Sequence, residues 1–295
     1  MISVHNAVKS FDGFRALDGL NMTVPDGAVY GLVGPNGAGK TTTIRHLTGV
    51  MRPDEGTVEL DGHPIYENAA LKGRISSIPD EIYHFPQATI REMMRFYSRV
   101  YPQFDDGLYA RLGEAFGMSD RLTMRRLSKG MKKQAAFWLA LCTRPDYLIL
   151  DEPVDGLDPV MRRQVWSLIL DDAGQRGATV VVSSHNLREL EDVCDHVGIM
   201  NHGKMLLERS LSELQEHIVK VQLVTENPLP STLDIIHESA TGRVRTLIVR
   251  GAQEDIQHSI SATLPIFCDL IPLSLEEIFI YELGGVDYAV KSIVL

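Results

Sequence analysis

Three runs of almost unbroken apolar residues organise this chain: Val29-Tyr30-Gly31-Leu32-Val33, Tyr147-Leu148-Ile149-Leu150 and Thr179-Val180-Val181-Val182. Runs of this length without polar alternation predict strands covered on both faces, as in a buried parallel sheet. The second and third each run into polar residues at the carboxyl end, the edge where open α/β sheets place their chemistry. Helical spacing from 161 to 170 separates them. Ahead of the first run, residues 2–4 and the alternating Leu20-Asn21-Met22-Thr23-Val24 predict a small β-layer, with a turn at Asp12-Gly13 and a stop at Pro25-Asp26-Gly27.

A helix is expected after Lys40, carried by Thr43, Ile44, Leu47 and Val50 and ended by the segment 51–56. Thr57-Val58-Glu59-Leu60 alternates as a strand closed by Asp61-Gly62. From 90 to about 134 the apolar positions Met93, Met94, Phe96, Tyr97, Leu108, Leu112, Phe116 and Leu122 fall at helical spacing, so a helical insertion interrupts the sheet. Beyond Leu214 the texture changes. Val219-Lys220-Val221-Gln222-Leu223-Val224, a break at Pro228-Leu229-Pro230, Thr246-Leu247-Ile248-Val249 and a helix over 274–283 predict a separate small α/β unit ending at Gly284-Gly285. The expected organisation is one large domain over 1–214 with a helical subdomain at about 88–135, a C-terminal domain over 215–283 and a tail over 284–295.

With 295 residues the chain has room for one large domain and a smaller one, on a prior of roughly 150 residues each. A formal charge of -10 argues against a protein whose main task is to neutralise nucleic-acid phosphates, so no nucleic acid is expected as a partner. Cys142, Cys194 and Cys268 lie far apart and suggest neither a zinc site nor a disulfide framework. The start of the chain lacks the pattern of a signal peptide, and no apolar run approaches the roughly 20 residues needed to span a bilayer. If this protein serves a membrane, another chain crosses it.

The candidate chemistry begins directly after the first apolar run. Gly34-Pro35-Asn36-Gly37-Ala38-Gly39-Lys40-Thr41, followed by Thr42, fulfils the pattern Gly-x-x-x-x-Gly-Lys-[Ser/Thr] between a strand and a helix. Glycines let the backbone pass close to an anion so that successive N–H groups converge on phosphates. Lys40 adds a flexible point charge for the β- and γ-phosphates, and the Thr41 hydroxyl is placed to hold a Mg²⁺ ion bridging them. The second run ends in Asp151-Glu152, and neighbouring residues at a strand end point different ways. One carboxylate can serve metal, Asp151, and the other water, Glu152. His185 follows the third run and emerges on the same edge if the two strands are neighbours. Ser128, in Leu127-Ser128-Lys129-Gly130-Met131, is placed to cap a helix.

In this order the motifs resemble those of the nucleotide-binding subunit of ABC transporters, over residues 2–214. Residues 34–41 look like the Walker A motif, 127–131 the signature motif, 148–152 the Walker B motif with its catalytic glutamate, Gly156-Leu157-Asp158 the D-loop and His185 the switch histidine. Phe11 matches the aromatic that stacks on adenine. The resemblance implies a P-loop NTPase (RecA-like) α/β core with an N-terminal antiparallel β-subdomain, ATP and Mg²⁺ as ligands, ATP hydrolysis, and a head-to-tail homodimer or heterodimer in which Ser128 and Gly130 complete the partner's ATP site. It also implies an integral membrane permease subunit as partner and a cytoplasmic location, peripheral on the inner face of the membrane.

Two motifs depart from the family pattern. Asp80 stands where the family's Q-loop glutamine is expected, so an anion replaces a neutral amide beside the metal; it either ligates Mg²⁺ or caps the turn after Pro79. The signature reads Leu-Ser-Lys-Gly-Met, which puts Lys129 and Met131 near the partner's nucleotide. That form, with the C-terminal Ser274-Leu275-Glu276-Glu277-Ile278-Phe279, resembles the YtrB-like and antibiotic-export group. The alternative is an ABC ATPase without a membrane partner, acting on ribosomes or nucleic acid. Such proteins usually carry two domains or long coiled-coil insertions, which this sequence does not show.

Overall fold

The computed structural model describes residues 1–216 and 218–283. They form two compact units, the first of Met1–Asn186 with Val193–Glu208, the second of Leu187–Asp192 with the residues from Arg209 on. The tail expected over 284–295 lies outside the described residues.

The first unit opens with a hairpin, β1 (Ile2–Phe11) and β2 (Phe14–Val24), and continues through β3 (Val29–Val33), α1 (Lys40–Leu47), β4 (Glu55–Leu60), β5 (His63–Pro64), α2 (Ala69–Lys72) and β6 (Ile75–Ile78). Helices α3 (Ile90–Val100), α4 (Asp106–Phe116) and α5 (Lys129–Cys142) follow. The remainder is β7 (Tyr147–Asp151), α6 (Pro159–Arg176), β8 (Thr179–Ser184), β9 (His196–Asn201) and β10 (Lys204–Ser210). Two sheets result, an antiparallel one in the order β2-β1-β4-β5 and a central one in the order β10-β9-β3-β8-β7-β6. The expected neighbours β7 and β8 do pair, in parallel. Every residue of β3, β7 and β8 is buried, which is why these segments read as apolar runs rather than alternating ones.

Helix α1 packs on both sheets, so one core joins Leu20, Met22 and Leu60 to Ile44 and Leu47 and to Tyr30, Leu32, Ile149 and Val181. Burying each such side chain is worth roughly 1.5–3 kcal/mol, which fixes the base of the loop between β3 and α1. The helix stops at Leu47, one turn before the expected end. The N–H groups of Val50 and Met51 fold back to the Arg45 carbonyl oxygen, and Val50 is exposed rather than part of an apolar stripe.

In the helical segment, Thr89 and Glu92 form a capping box at the start of α3, and Asp105 caps α4. Helix α5 is anchored by Trp138, which stacks on Tyr109 at 4.7 Å between ring centres and donates from its indole nitrogen to the Tyr109 carbonyl oxygen at 2.8 Å. The helix runs past position 135 to Cys142, with each residue from Ala135 on buried.

The second unit comprises α7 (Arg188–Glu191), α8 (Leu211–Glu216), β11 (Ile218–Val224), β12 (Asp234–Thr241), β13 (Val244–Arg250), α9 (Gln253–Ser261), β14 (Phe267–Ile271) and α10 (Leu275–Leu283). Its antiparallel sheet has the order β12-β13-β11-β14 and its own core of Val221, Leu223, Leu247, Val249, Ile256 and Ile260. No helix among the described residues is long and apolar enough to cross a membrane.

Candidate active site

Register in the central sheet sets the site. Val33 lies opposite Ser184, Asp151 opposite Ser183 and Ile78 opposite Leu150, so the strands end level and release residues 34–42, 152, 185 and 80 from one edge.

The loop after β3 is shaped by exclusion at two glycines. A Cβ on Gly34 would lie 2.3 Å from the Met200 carbonyl oxygen, and one on Gly39, whose φ is 107°, would lie 2.6 Å from that of Ala16. The loop is thereby pressed between β2 and β9, with Ala38 buried, Pro35 half-buried and Asn36 and Gly37 facing outward. No side chain caps α1 and its first turn holds no acid, so the first-turn N–H groups at this positive helix end are left for an anion. The cradle fits a phosphate chain.

Lys40 is buried at the mouth of that cradle. Its ammonium donates to the Gly34 carbonyl oxygen at 2.7 Å and the Pro35 carbonyl oxygen at 3.4 Å, and it lies 3.4 Å from Glu152 Oε1. Thr41 is exposed and Thr42 half-buried in the same turn. The other oxygen of Glu152, Oε2, accepts from His185 Nδ1 at 2.9 Å. A cation, a carboxylate and an imidazole thus follow one another in contact at the sheet edge.

The Glu152 backbone has φ of 45°, a left-handed conformation that costs a non-glycine residue of order 1–3 kcal/mol and is held by its surroundings. Ser183 supplies part of that hold. Its hydroxyl accepts from the Glu152 N–H at 3.0 Å and donates to Asp151 Oδ1 at 2.5 Å, so one buried side chain fixes both acids. Asp151 itself is buried. Among the described residues no three His, Cys, Asp or Glu side chains could hold a metal ion together; Mg²⁺ in nucleotide sites takes one or two carboxylates with phosphate oxygens and water.

The remaining positions lie around these groups. Phe11 is half open at the tip of the hairpin, paired with Phe14 and approached by the Lys9 ammonium at 5.8 Å from the ring centre. It is tied to the phosphate loop through Ala16 and Leu17 of β2, the groups nearest Gly39. Asp80 is exposed two residues after β6, and its charge acts on Lys129 and Lys133: it reinforces the rise that Asp155 chiefly causes in the Lys129 pKa and opposes the fall that burial causes in that of Lys133. Ser128 caps α5 by accepting from the Met131 N–H at 3.2 Å, and Gly130 faces Leu157. Lys129 is engaged within its own chain, 3.1 Å from Asp155 Oδ2.

Sequence reasoning passed over Ser183 and Lys133. The first lay within the Ser183-Ser184-His185 string, where a small hydroxyl beside the strand end was a usable signal. Nothing local marked Lys133, which reads as one of two adjacent helix lysines.

A family model described as ABC transporter matches residues 17–155. The ABC transporter ATP-binding protein YtrB of Bacillus subtilis is 28% identical over 97% of this chain and 99% of that protein. The bacitracin transport ATP-binding protein BcrA of Bacillus licheniformis is 34% identical over 73% of this chain and 72% of its own length. The daunorubicin/doxorubicin resistance ATP-binding protein DrrA of Streptomyces peucetius is 34% identical, covering 74% and 67%. A solved ATP-binding subunit of an ABC transporter superposes with a TM-score of 0.66 at 26% identity, over 73% of this chain and 92% of that one. A dimeric ATP-binding cassette in a post-hydrolysis state with ADP and phosphate shares the fold, at a TM-score of 0.65 and 19% identity. These relatives favour a transporter subunit over an ATPase acting on ribosomes or nucleic acid, and the central sheet with its phosphate loop is the P-loop NTPase fold. The chain belongs to the ABC transporter ATP-binding family and is the ATP-hydrolysing subunit of such a transporter.

Proposed function

We propose that this subunit powers export through a separate integral membrane permease, as one of a homodimer or heterodimer of ATPase subunits on the cytoplasmic face. The observation that carries the catalytic part is the series Lys40, Glu152, His185, with contacts of 3.4 and 2.9 Å at the end of three aligned strands. In this reading main-chain N–H groups of the loop over residues 34–42 and the Lys40 ammonium hold the β- and γ-phosphates, and Phe11 stacks on adenine. Thr41 and Asp151, with Asp80 beside them, would hold Mg²⁺, which supplies positive charge against the phosphate oxygens. Glu152 accepts the proton of the attacking water, and His185 contacts the γ-phosphate and orients that water. The bond between the γ-phosphorus and the bridging oxygen breaks, and ADP leaves with that oxygen.

Ser128 and Gly130, at the exposed start of α5, complete the ATP site of the partner ATPase subunit. Residues 1–214, with the helical subdomain at about 88–135, form the ATP-binding domain; residues 215–283, with a core of their own, form a small C-terminal domain. Docking to a permease is supported by exposed aromatics beside α3: Tyr83 and Phe85, the latter meeting Phe96 edge-on at 5.8 Å. Export is supported by the resistance and transport names of the relatives. The test is Glu152→Gln: ATP affinity stays at the parental value while steady-state phosphate release slows by roughly 10²- to 10⁴-fold. Turnover near the parental rate removes Glu152 from the role of base.

A further inference from the structure

Lys133 is the one lysine besides Lys40 among the described residues to be buried, with 1% of its surface exposed, and the reaction as described does not use it. An ammonium withdrawn from water is costly unless specific acceptors replace the lost hydration. Here the principal acceptor is a main-chain oxygen: Lys133 Nζ donates to the Glu152 carbonyl oxygen at 2.7 Å. The same oxygen receives the Asp155 N–H at 3.3 Å. Burial pushes the Lys133 pKa down, while Asp155, Asp80 and Glu152 oppose that fall.

The geometry of the acceptor gives the contact its meaning. Glu152 stands at φ 45°, a conformation a non-glycine side chain adopts only when held. Its N–H is fixed by Ser183 from β8, and its C=O by Lys133 from α5. The two bonds clamp the peptide groups on either side of the Glu152 Cα, and that orientation sends the carboxylate toward Lys40 and His185. A turn earlier on the same face of α5, Lys129 holds Asp155. The start of α5 is therefore fastened at two points to the turn that carries Glu152.

We propose that Lys133 is a positioning residue for ATP hydrolysis, holding the main chain of Glu152 so that movement of α5 is transmitted to the orientation of the base. The proposal rests on Glu152 as the base. Because α5 carries Ser128 and Gly130, engagement of that helix by a nucleotide on the partner subunit would reach the base of its own chain through this contact. A neutral donor could satisfy the carbonyl; the ammonium adds charge-assisted strength and reach from a neighbouring helix.

The experiment compares Lys133→Met, Lys133→Gln and Lys133→Arg in the full chain, alone and with Glu152→Gln. Phosphate release gives kcat and KM, a fluorescent ATP analogue gives binding, and thermal unfolding gives the folded fraction. Lys133→Met is expected to lower kcat by about 10- to 100-fold, the scale of a misplaced catalytic group, with KM and analogue affinity within about twofold of the parent. Lys133→Arg recovers most of that loss, and Lys133→Gln falls between. Combined with Glu152→Gln, Lys133→Met adds no further slowing, since both act through one carboxylate. Multiplying losses in the double variant, or a Lys133→Met kcat within about twofold of the parent, overturn the proposal. If Lys133→Met does not fold, Lys133→Gln decides: a folded protein with reduced kcat and parental affinity supports positioning, whereas parental kcat or failure to fold assigns Lys133 to stability alone. Glu152→Gln by itself tests the underlying base, so the two failures are distinguishable.

Discussion

Ser183→Ala isolates the hydroxyl that joins the two acids of the site. The side chain is fully buried and Asp151 nearly so, leaving no room for water to take over its bonds without rearrangement. The variant loses a bond to a carboxylate, worth about 2 kcal/mol, and leaves the Glu152 N–H without its acceptor, worth about 1 kcal/mol more, or about 3 kcal/mol together. In a unit of this size, each kcal/mol moves the unfolding midpoint by roughly 3 °C, so the midpoint is expected to fall by about 9 °C. Differential scanning calorimetry of parent and variant at neutral pH measures this. Turnover is read at a temperature where both are folded and should fall by about 10-fold or more as the left-handed Glu152 backbone loses one of its two anchors. A midpoint shift under about 2 °C with unchanged turnover would refute the reasoning, showing that the hydroxyl does not carry the coupling between the acids.

Two further outcomes are expected. Asp120 accepts from Arg91 Nε and Nη2 at 2.8 and 2.9 Å, and this pairing, ahead of a weaker bond from Tyr109, holds its carboxyl below the usual range. A depressed carboxyl contributes stability above the unfolded value of about 3.9 and loses it as pH falls through the lower folded value, so Asp120→Asn should be less stable than the parent at pH 7, with the difference vanishing in acid below about pH 4 in pH-resolved unfolding. Mg²⁺ titration at saturating ATP should show Asp80→Asn needing about 10-fold more metal for half-maximal hydrolysis, and Asp80→Gln less than that; parental Mg²⁺ dependence in both variants removes Asp80 from the metal.

The strands that carry the chemistry were legible because burial on both faces leaves no choice of residue: β3, β7 and β8 read as apolar runs for that reason. The hairpin was legible only at its ends. Register shifts between Val4 and Ala7, at Ala7/Val8 and at Lys9/Ser10 break the period of two, so strands of ten and eleven residues showed themselves as three and five. In the second unit β11 and β13 were found, being the inner strands, while β12 at one sheet edge faces solvent along most of its length and ends in polar residues, and β14 at the other edge is short, its apolar residues interrupted by Asp269. The overextended α1 has the opposite cause: Val50 continued a helical spacing, but the chain had already turned back on Arg45.

The site divides along the same physical line. Residues that would touch phosphate through the backbone must be consecutive, and residues at a strand's end must follow an apolar run, so the proposed site residues 34–42, Asp151, Glu152 and His185 stand out in local order alone. What holds them in place is set by tertiary neighbours. The Glu152 carboxylate is aimed by Ser183, 31 positions away, and by Lys133, 19 positions away on another element. Neither contact has a spacing rule, because each depends on which strand lies beside β7 and which helix face turns toward it. A lysine that will be buried and one that will be solvated are the same letter; only the placement of α5 on the turn after β7 separates Lys133 from its neighbour Lys132. Sequence therefore offers the candidate groups for a nucleotide, while the geometry that would make Glu152 effective as a base is written in the packing of α5 and β8 around it.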